Sequence, residues 1–171
     1  MSNLNTENIR MLMKKNISKD EFLAIEGMDE NSIGESVYKE LIEAMNHQLP
    51  IRVDNLLFLI FHFNLLDEKM DDILNQLLMC DWHMQHENIA MLLQRLKSPS
   101  SIEALYETAI KEYEYLEYDE AHALALKCIW ALGDIGTELA KQKLQLLLNS
   151  NIPVIKENAQ KQLNRIDRKH E

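Results

Sequence analysis

The densest group of reactive side chains in the sequence is the stretch CDWHMQHE, residues 80–87. On a helix, His83 and His86 share a face, and so do His83 and Glu87. Two imidazoles and a carboxylate can begin a metal site, which would suit a metal-dependent enzyme. Ligands from one helix do not close a coordination shell, however, and the metalloprotease pattern HExxH is absent from the sequence.

A structural role explains the same stretch more simply. Asp81 is expected to cap a helix that runs to about Lys97, because its carboxylate accepts from free amides and complements the helix dipole. The two histidines then lie near the positive end of that dipole and stay neutral. A third interpretation places both histidines and Glu87 on a surface that binds a partner protein.

A second notable segment is KEYEYLEYDEAH, residues 111–122, in which tyrosines alternate with acids. We call residues 112–120 the acidic tyrosine segment. Rigid rings supply contact area and carboxylates attract Lys and Arg, so the segment is predicted to bind a basic partner. An acidic loop whose rings lie over the edge of the core explains the pattern equally well.

Trp130 is a third candidate, because it lies opposite the apolar side of a helix predicted over 119–133. An exposed Trp can anchor a partner, although a Trp can also pack between two layers of helices. The full set of residues predicted to bind a partner is His83, His86, Glu87, Glu112, Tyr113, Glu114, Tyr115, Glu117, Tyr118, Asp119, Glu120 and Trp130.

The sequence carries no recognisable catalytic motif. A nucleophile elbow, a Gly-rich phosphate loop and a CxxC pair are all absent. We therefore predict that the protein is not an enzyme and uses no cofactor, with the His83/His86 metal site as the alternative.

Composition favours an all-α fold. The 171 residues are 46% hydrophobic, and only 4 Gly and 3 Pro interrupt them. Leu, Ala, Met, Glu, Lys and Gln, which dominate the chain, are good helix formers. We expect one domain, with irregular helices over 1–66 and a more regular pattern over 67–171.

The net charge of −10 argues against nucleic acid as a partner, because phosphate binding needs Lys and Arg. The charge is concentrated between residues 98 and 126, where seven acids face a single lysine, Lys111. Such a surface favours a basic partner that is attracted over a distance.

Membrane insertion is not expected. The longest apolar stretch, residues 55–66, is too short to span a bilayer, and the first residues lack the apolar core of a secretory signal. Cys80 and Cys128 fall in apolar helical patterns and are expected to be reduced thiols, which predicts a cytoplasmic protein.

Helix boundaries are visible at several places. Ser18 and Glu21 have the spacing of a capping box, and Pro50 suits the first turn of a helix. Thr137 is expected to cap a helix, while Gly133 and Gly136 are expected to end the preceding one.

A shift of 36 residues aligns parts of the C-terminal half, placing His86 on His122 and Ser101 on Thr137. Helical units that repeat at this spacing are typical of stacked solenoids. We therefore predict an all-α, HEAT-like α-solenoid (an α-α superhelix) of about eight or nine helices.

The stretch ALALKCIWALGDIGTELAKQKLQLLLNSNIPVIKENAQKQLNRI, residues 123–166, resembles HEAT repeats. More narrowly, DWHMQHENI, LKSPSSIEALY, LEYDE and KCIWALGDIGT resemble small bacterial HEAT-repeat immunity proteins of polymorphic toxins, including contact-dependent growth inhibition systems. That resemblance implies cytoplasmic binding of a cognate toxin domain, a basic nuclease or another enzyme. A general protein-binding scaffold remains the alternative.

Overall fold

The computed structural model describes residues 4–117 and 119–168, and all regular structure within them is helical. These residues form ten α-helices and three short 3-10 helices, without a β-strand. The all-α prediction is confirmed. The helices number ten where about eight or nine were expected, because short turns divide the N-terminal part more often than its sequence pattern indicates.

The chain divides into two compact units, Met1–Leu66 and Asp67–Glu171. The first contains helices α1 (Thr6–Met13), α2 (Lys19–Glu26), α3 (Ser32–Asn46) and α4 (Pro50–Phe63). The second contains α5 (Asp71–Leu78), α6 (His86–Leu96), α7 (Ile102–Ile110), α8 (Ala123–Ile135), α9 (Glu138–Leu147) and α10 (Pro153–Asp167). Its 3-10 helices are Glu68–Met70, Pro99–Ser101 and Glu114–Leu116.

Local capping signals position the helices of the first unit. The Ser18 hydroxyl and the Glu21 carboxylate form the predicted capping box at the start of α2. Pro50 occupies the first turn of α4, as predicted, where its missing N–H costs no hydrogen bond. The apolar residues of α4 supply much of the core of this unit.

A buried ion pair fastens the start of the described chain within the first unit. Glu40 pairs with Arg52, and both side chains are almost fully buried. The Leu4 N–H donates to the Glu40 carboxylate at 2.6 Å, and Arg52 donates to the Leu4 carbonyl at 2.7 Å. The pair is therefore satisfied by backbone groups on both sides, which offsets part of its desolvation.

In the second unit, α8 packs against both α6 and α10. The other three helices each pack on the next helix in the chain, α5 on α6, α7 on α8 and α9 on α10. Ser101 and Thr137, which the 36-residue shift aligns, are the residues that precede α7 and α9. The Thr137 hydroxyl accepts from the Ala140 N–H, so its predicted capping role is confirmed.

Two predicted boundaries of α8 differ from the structure. The helix begins at Ala123 rather than at Asp119, although the Asp119 carboxylate does accept from the Ala123 N–H at 2.7 Å. It ends at Gly136, whose φ of 63° is the left-handed conformation that glycine adopts without strain. Gly133 lies inside the helix instead of ending it, because α10 packs directly against it.

The close approach at Gly133 leads to a stability prediction. A Cβ at this position would lie 2.9 Å from Cγ of Gln162, a side chain that is itself buried. We expect Gly133→Ala to lower the free energy of unfolding by about 1 kcal/mol, because the overpacking outweighs the gain in helix propensity. Urea denaturation followed by circular dichroism measures the change.

Gly34→Ala is the matched control, because it also replaces a helical glycine. Its nearest neighbour would be Cδ2 of Leu65 at an ordinary 3.9 Å, so this variant should gain up to about 1 kcal/mol. Equal effects of the two substitutions would show that contact with Gln162 does not restrict position 133.

Candidate functional site

The residues between α5 and α6 do not form the predicted helix start, and the assignment of Asp81 as its cap is wrong. Asp81 is exposed, and α6 begins at His86. His83 is buried and turns back towards α5, where its Nε2–H donates to the Leu77 carbonyl at 2.8 Å. Its Nδ1 accepts from the Gln85 N–H at 3.1 Å. The ring therefore adds a second donor to the Leu77 carbonyl, which also accepts from the Cys80 N–H at the C-terminal end of α5.

His86 is fully buried and makes the equivalent pair of bonds. Its Nε2 lies 2.6 Å from the Cys80 carbonyl, which only accepts, so Nε2 carries the proton. Nδ1 is then the acceptor, and the Tyr115 hydroxyl donates to it at 2.8 Å. The contact joins positions 29 residues apart in the sequence.

Tyr113 completes a group that we call the buried ring cluster: His83, His86, Tyr113 and Tyr115. The Tyr113 hydroxyl donates to the Leu78 carbonyl at 3.2 Å, again at the end of α5. The ring centroids of His83 and His86 lie 4.4 Å apart, and those of His86 and Tyr113 lie 4.3 Å apart. Four side chains from two distant segments thus pack as one unit against α5.

The cluster is electrically neutral near pH 7. Burial lowers the pKa of His83, and it lowers the pKa of His86 from 6.5 to about 4. A protonated ring would be favoured beside backbone carbonyls, but the loss of hydration outweighs this effect at both histidines. Burial also raises the pKa of both Tyr113 and Tyr115.

These bonds bear directly on the metal alternative. The acceptor lone pair of each imidazole already receives a hydrogen bond, so binding a metal would require one of these bonds to break. Within residues 4–117 and 119–168, no group of three or more His, Cys, Asp or Glu side chains is placed to hold a metal ion.

In the acidic tyrosine segment, the described tyrosines point towards the core and the neighbouring glutamates point towards solvent. Tyr113 has an extended backbone and directly precedes the 3-10 helix that contains Glu114 and Tyr115. Tyr113 and Tyr115 point inward to the buried ring cluster, while Glu112 and Glu114 are exposed. Tyr118 lies outside the described residues. The alternation of period two in EYEY was the sequence signal for this arrangement.

The exposed acids of this segment have no cationic partner in the part of the chain that the structure describes. Lys111, the one cation nearby in sequence, is already paired with Asp81 at 2.6 Å and lowers the pKa of that carboxyl. Among the residues that the structure describes, no cation pairs with the exposed carboxylates that we call the acidic rim. The acidic rim consists of Glu112, Glu114, Glu117 and Glu120.

A groove of about 790 Å³ runs beside the acidic rim. Three rim carboxylates line it, those of Glu112, Glu114 and Glu117. The ends of α7 and α9 contribute Ile110 and Leu146, which are 52% and 50% exposed. The groove therefore combines uncompensated negative charge with accessible aliphatic surface.

Trp130 and Glu87 take part in different contacts and do not line the groove. Trp130 is 41% exposed, and its indole N–H donates to Asn158 at 3.3 Å. The guanidinium of Arg165 lies 5.4 Å from the ring centroid, in the range of a cation–π contact. Glu87 forms an ion pair with Lys127. Trp130 therefore remains accessible, while the charge of Glu87 is compensated.

Sequence reasoning missed the aliphatic walls of the groove and the pairing partners of Trp130. Ile110 and Leu146 sit at helix ends, where a local pattern does not distinguish a core residue from a surface one. Asn158 and Arg165 are 28 and 35 positions beyond Trp130, on α10.

No protein-family model, curated protein or solved structure matches this chain. None of the helices within residues 4–117 and 119–168 is both long enough and apolar enough to cross a membrane.

The bond between Tyr115 and His86 gives a prediction. Tyr115→Phe should lower the free energy of unfolding by about 1–2 kcal/mol, because it leaves a buried imidazole acceptor without a donor. Tyr106→Phe is the matched control, since its ring keeps the contact with the Lys143 ammonium 4.4 Å away. The control should change stability by less than about 0.5 kcal/mol in the same urea titration. Equal losses would argue against the bond.

A second prediction concerns pH. Above pH 6.5, His86 is neutral both in the folded and in the unfolded chain. As the pH falls from 6.5 towards about 4, the unfolded chain binds a proton that folded His86 does not. The free energy of unfolding should therefore fall over this range, by up to about 1.4 kcal/mol per pH unit from this group. NMR titration of the ring signals measures the pKa, and a value near 6.5 would contradict burial of the neutral form.

Proposed function

We propose that this protein is a cytoplasmic immunity protein that binds and neutralises a cognate toxin domain, of the type found in contact-dependent growth inhibition systems. The observation that carries the proposal is the acidic rim, whose carboxylates are exposed and uncompensated while Asp81, Glu87 and Asp134 are paired with cations. The acidic rim thus brings four exposed carboxylates together within nine residues of the second unit.

A charged rim of this kind suits a basic partner. Enzymes that act on nucleic acid carry Lys and Arg where they contact phosphates. A negative surface accelerates association with such an enzyme and competes for its cationic cleft. The buried ring cluster holds the acidic tyrosine segment in place, so little conformational freedom is lost on binding.

The packing of the second unit supports a HEAT-like solenoid as the underlying architecture. Three successive helix pairs, α5/α6, α7/α8 and α9/α10, repeat the same contact, and α8 packs against both α6 and α10. A general protein-binding scaffold would share this architecture. A toxin gene next to the gene for this chain would favour the immunity function over the scaffold function.

The direct test is to search beside the gene for this chain for a toxin gene and to measure complex formation with the toxin domain that it encodes. We expect tight binding and loss of toxin activity in the mixture. Reversing three rim charges, with Glu112→Lys, Glu114→Lys and Glu117→Lys together, should slow association by about 10- to 100-fold. It should also remove the acceleration at low salt, because the attractive field is gone. Stopped-flow or biolayer measurements at several salt concentrations give both quantities.

A control variant carries the same change in net charge at other exposed positions: Glu30→Lys, Glu68→Lys and Glu157→Lys. It should associate at close to the rate of the original protein. If both triple variants slow association equally, net charge acts and the acidic rim is not the contact site. If no complex forms with the original protein, the immunity function is excluded.

A further inference from the structure

We propose that the groove beside the acidic rim receives one segment of the partner chain, in which Lys or Arg side chains alternate with aliphatic side chains. The identity of that partner rests on the proposed function, whereas the chemistry of the segment follows from the groove itself. A segment fits better than a folded surface, because about 790 Å³ accommodates a few residues and not a domain.

The Lys or Arg side chains of the incoming segment are inferred from the negative charge of the groove. Glu112, Glu114 and Glu117 line the groove, and Lys111, which also lines it, is already paired with Asp81. Asp119 is a fourth carboxylate on the groove, but it is engaged with the Ala121 and Ala123 amides at the start of α8. Three carboxylates therefore remain for cations that only an incoming chain supplies.

The aliphatic side chains of the incoming segment are inferred from the exposed aliphatic residues that line the groove. Ile110 and Leu146 each leave about half of their surface in contact with water, and both face the groove. Leu116 and Ile152 are half-buried beside them. A purely ionic ligand would leave these walls wet, whereas Leu, Ile or Val side chains would cover them and gain hydrophobic stabilisation.

The groove is also held in shape before any partner binds. On the acidic side of the groove, Tyr113 and Tyr115 point towards the core. The Tyr113 hydroxyl donates a hydrogen bond to the Leu78 carbonyl of α5, and the Tyr115 hydroxyl donates one to His86. The opposite wall, Leu146, belongs to α9, and the buried residues of α9 pack into the core of the second unit. A preformed groove of mixed chemistry selects for both features of its ligand at once.

Three fluorescent peptides of about eight residues test this chemistry by anisotropy against the full chain. In one, Lys alternates with Leu; in the second, Lys alternates with Ser; in the third, Glu alternates with Leu. We expect the Lys/Leu peptide to bind at least about ten-fold more tightly than the Lys/Ser peptide and the Glu/Leu peptide not to bind. Equal binding of Lys/Leu and Lys/Ser peptides, or equally tight binding of spermine, would overturn the proposal.

Two surface variants of α9 locate the binding site. Leu146→Ser should weaken binding of the Lys/Leu peptide at least about ten-fold and leave that of the Lys/Ser peptide unchanged. Leu139→Ser is the matched control, because Leu139 lies on the same helix, is 49% exposed and does not line the groove. Equal effects of the two variants would place the peptide elsewhere. Circular dichroism verifies that both variants are folded.

The same variants separate this inference from the proposed function. If the toxin domain binds and Leu146→Ser leaves its affinity unchanged, the groove is not used and the immunity function stands. If no toxin domain binds but the Lys/Leu peptide does so through Leu146, the immunity function fails and the groove remains a binding site for a basic, aliphatic segment.

Discussion

The second unit depends on the hydrogen bonds that the buried ring cluster makes to the chain at the end of α5 and just after it. His83, Tyr113 and His86 donate to the carbonyls of Leu77, Leu78 and Cys80. The Leu77 carbonyl also accepts from the Cys80 N–H, and the Leu78 carbonyl from the Thr108 hydroxyl. The ring bonds each contribute about 0.5–1.5 kcal/mol. They link α5, the residues before α6 and the segment after α7.

The surface chemistry follows from that internal arrangement. Tyr113 and Tyr115 point inward to the buried ring cluster, and the neighbouring Glu112 and Glu114 are exposed to solvent. The same fold pairs Lys111 with Asp81 and so removes the nearest cation from the acidic tyrosine segment. The exposed carboxylates that we propose to bind a partner therefore lie on a segment that the buried ring cluster holds against α5.

Much of the helical framework was predictable, because capping is a local property. The capping box of Ser18 and Glu21, Pro50 at a helix start and Gly136 at a helix end all lie where short-range rules place them. Asp81 shows where such rules fail. It has the residue type of an N-cap, but the two histidines that follow it bond to the carbonyls of Leu77 and Cys80, and α6 begins only at His86.

By itself, the sequence determined the all-α class, several helix ends and the concentration of acids between residues 98 and 126, since each depends on residue type or on neighbours within a few positions. Only the tertiary structure decided which of those residues face solvent. The bonds from Tyr115 to His86 and from Tyr113 to Leu78 span 29 and 35 positions. A local pattern contains no information about a donor that arrives from so far along the chain, so the division into buried rings and exposed acids was settled by packing.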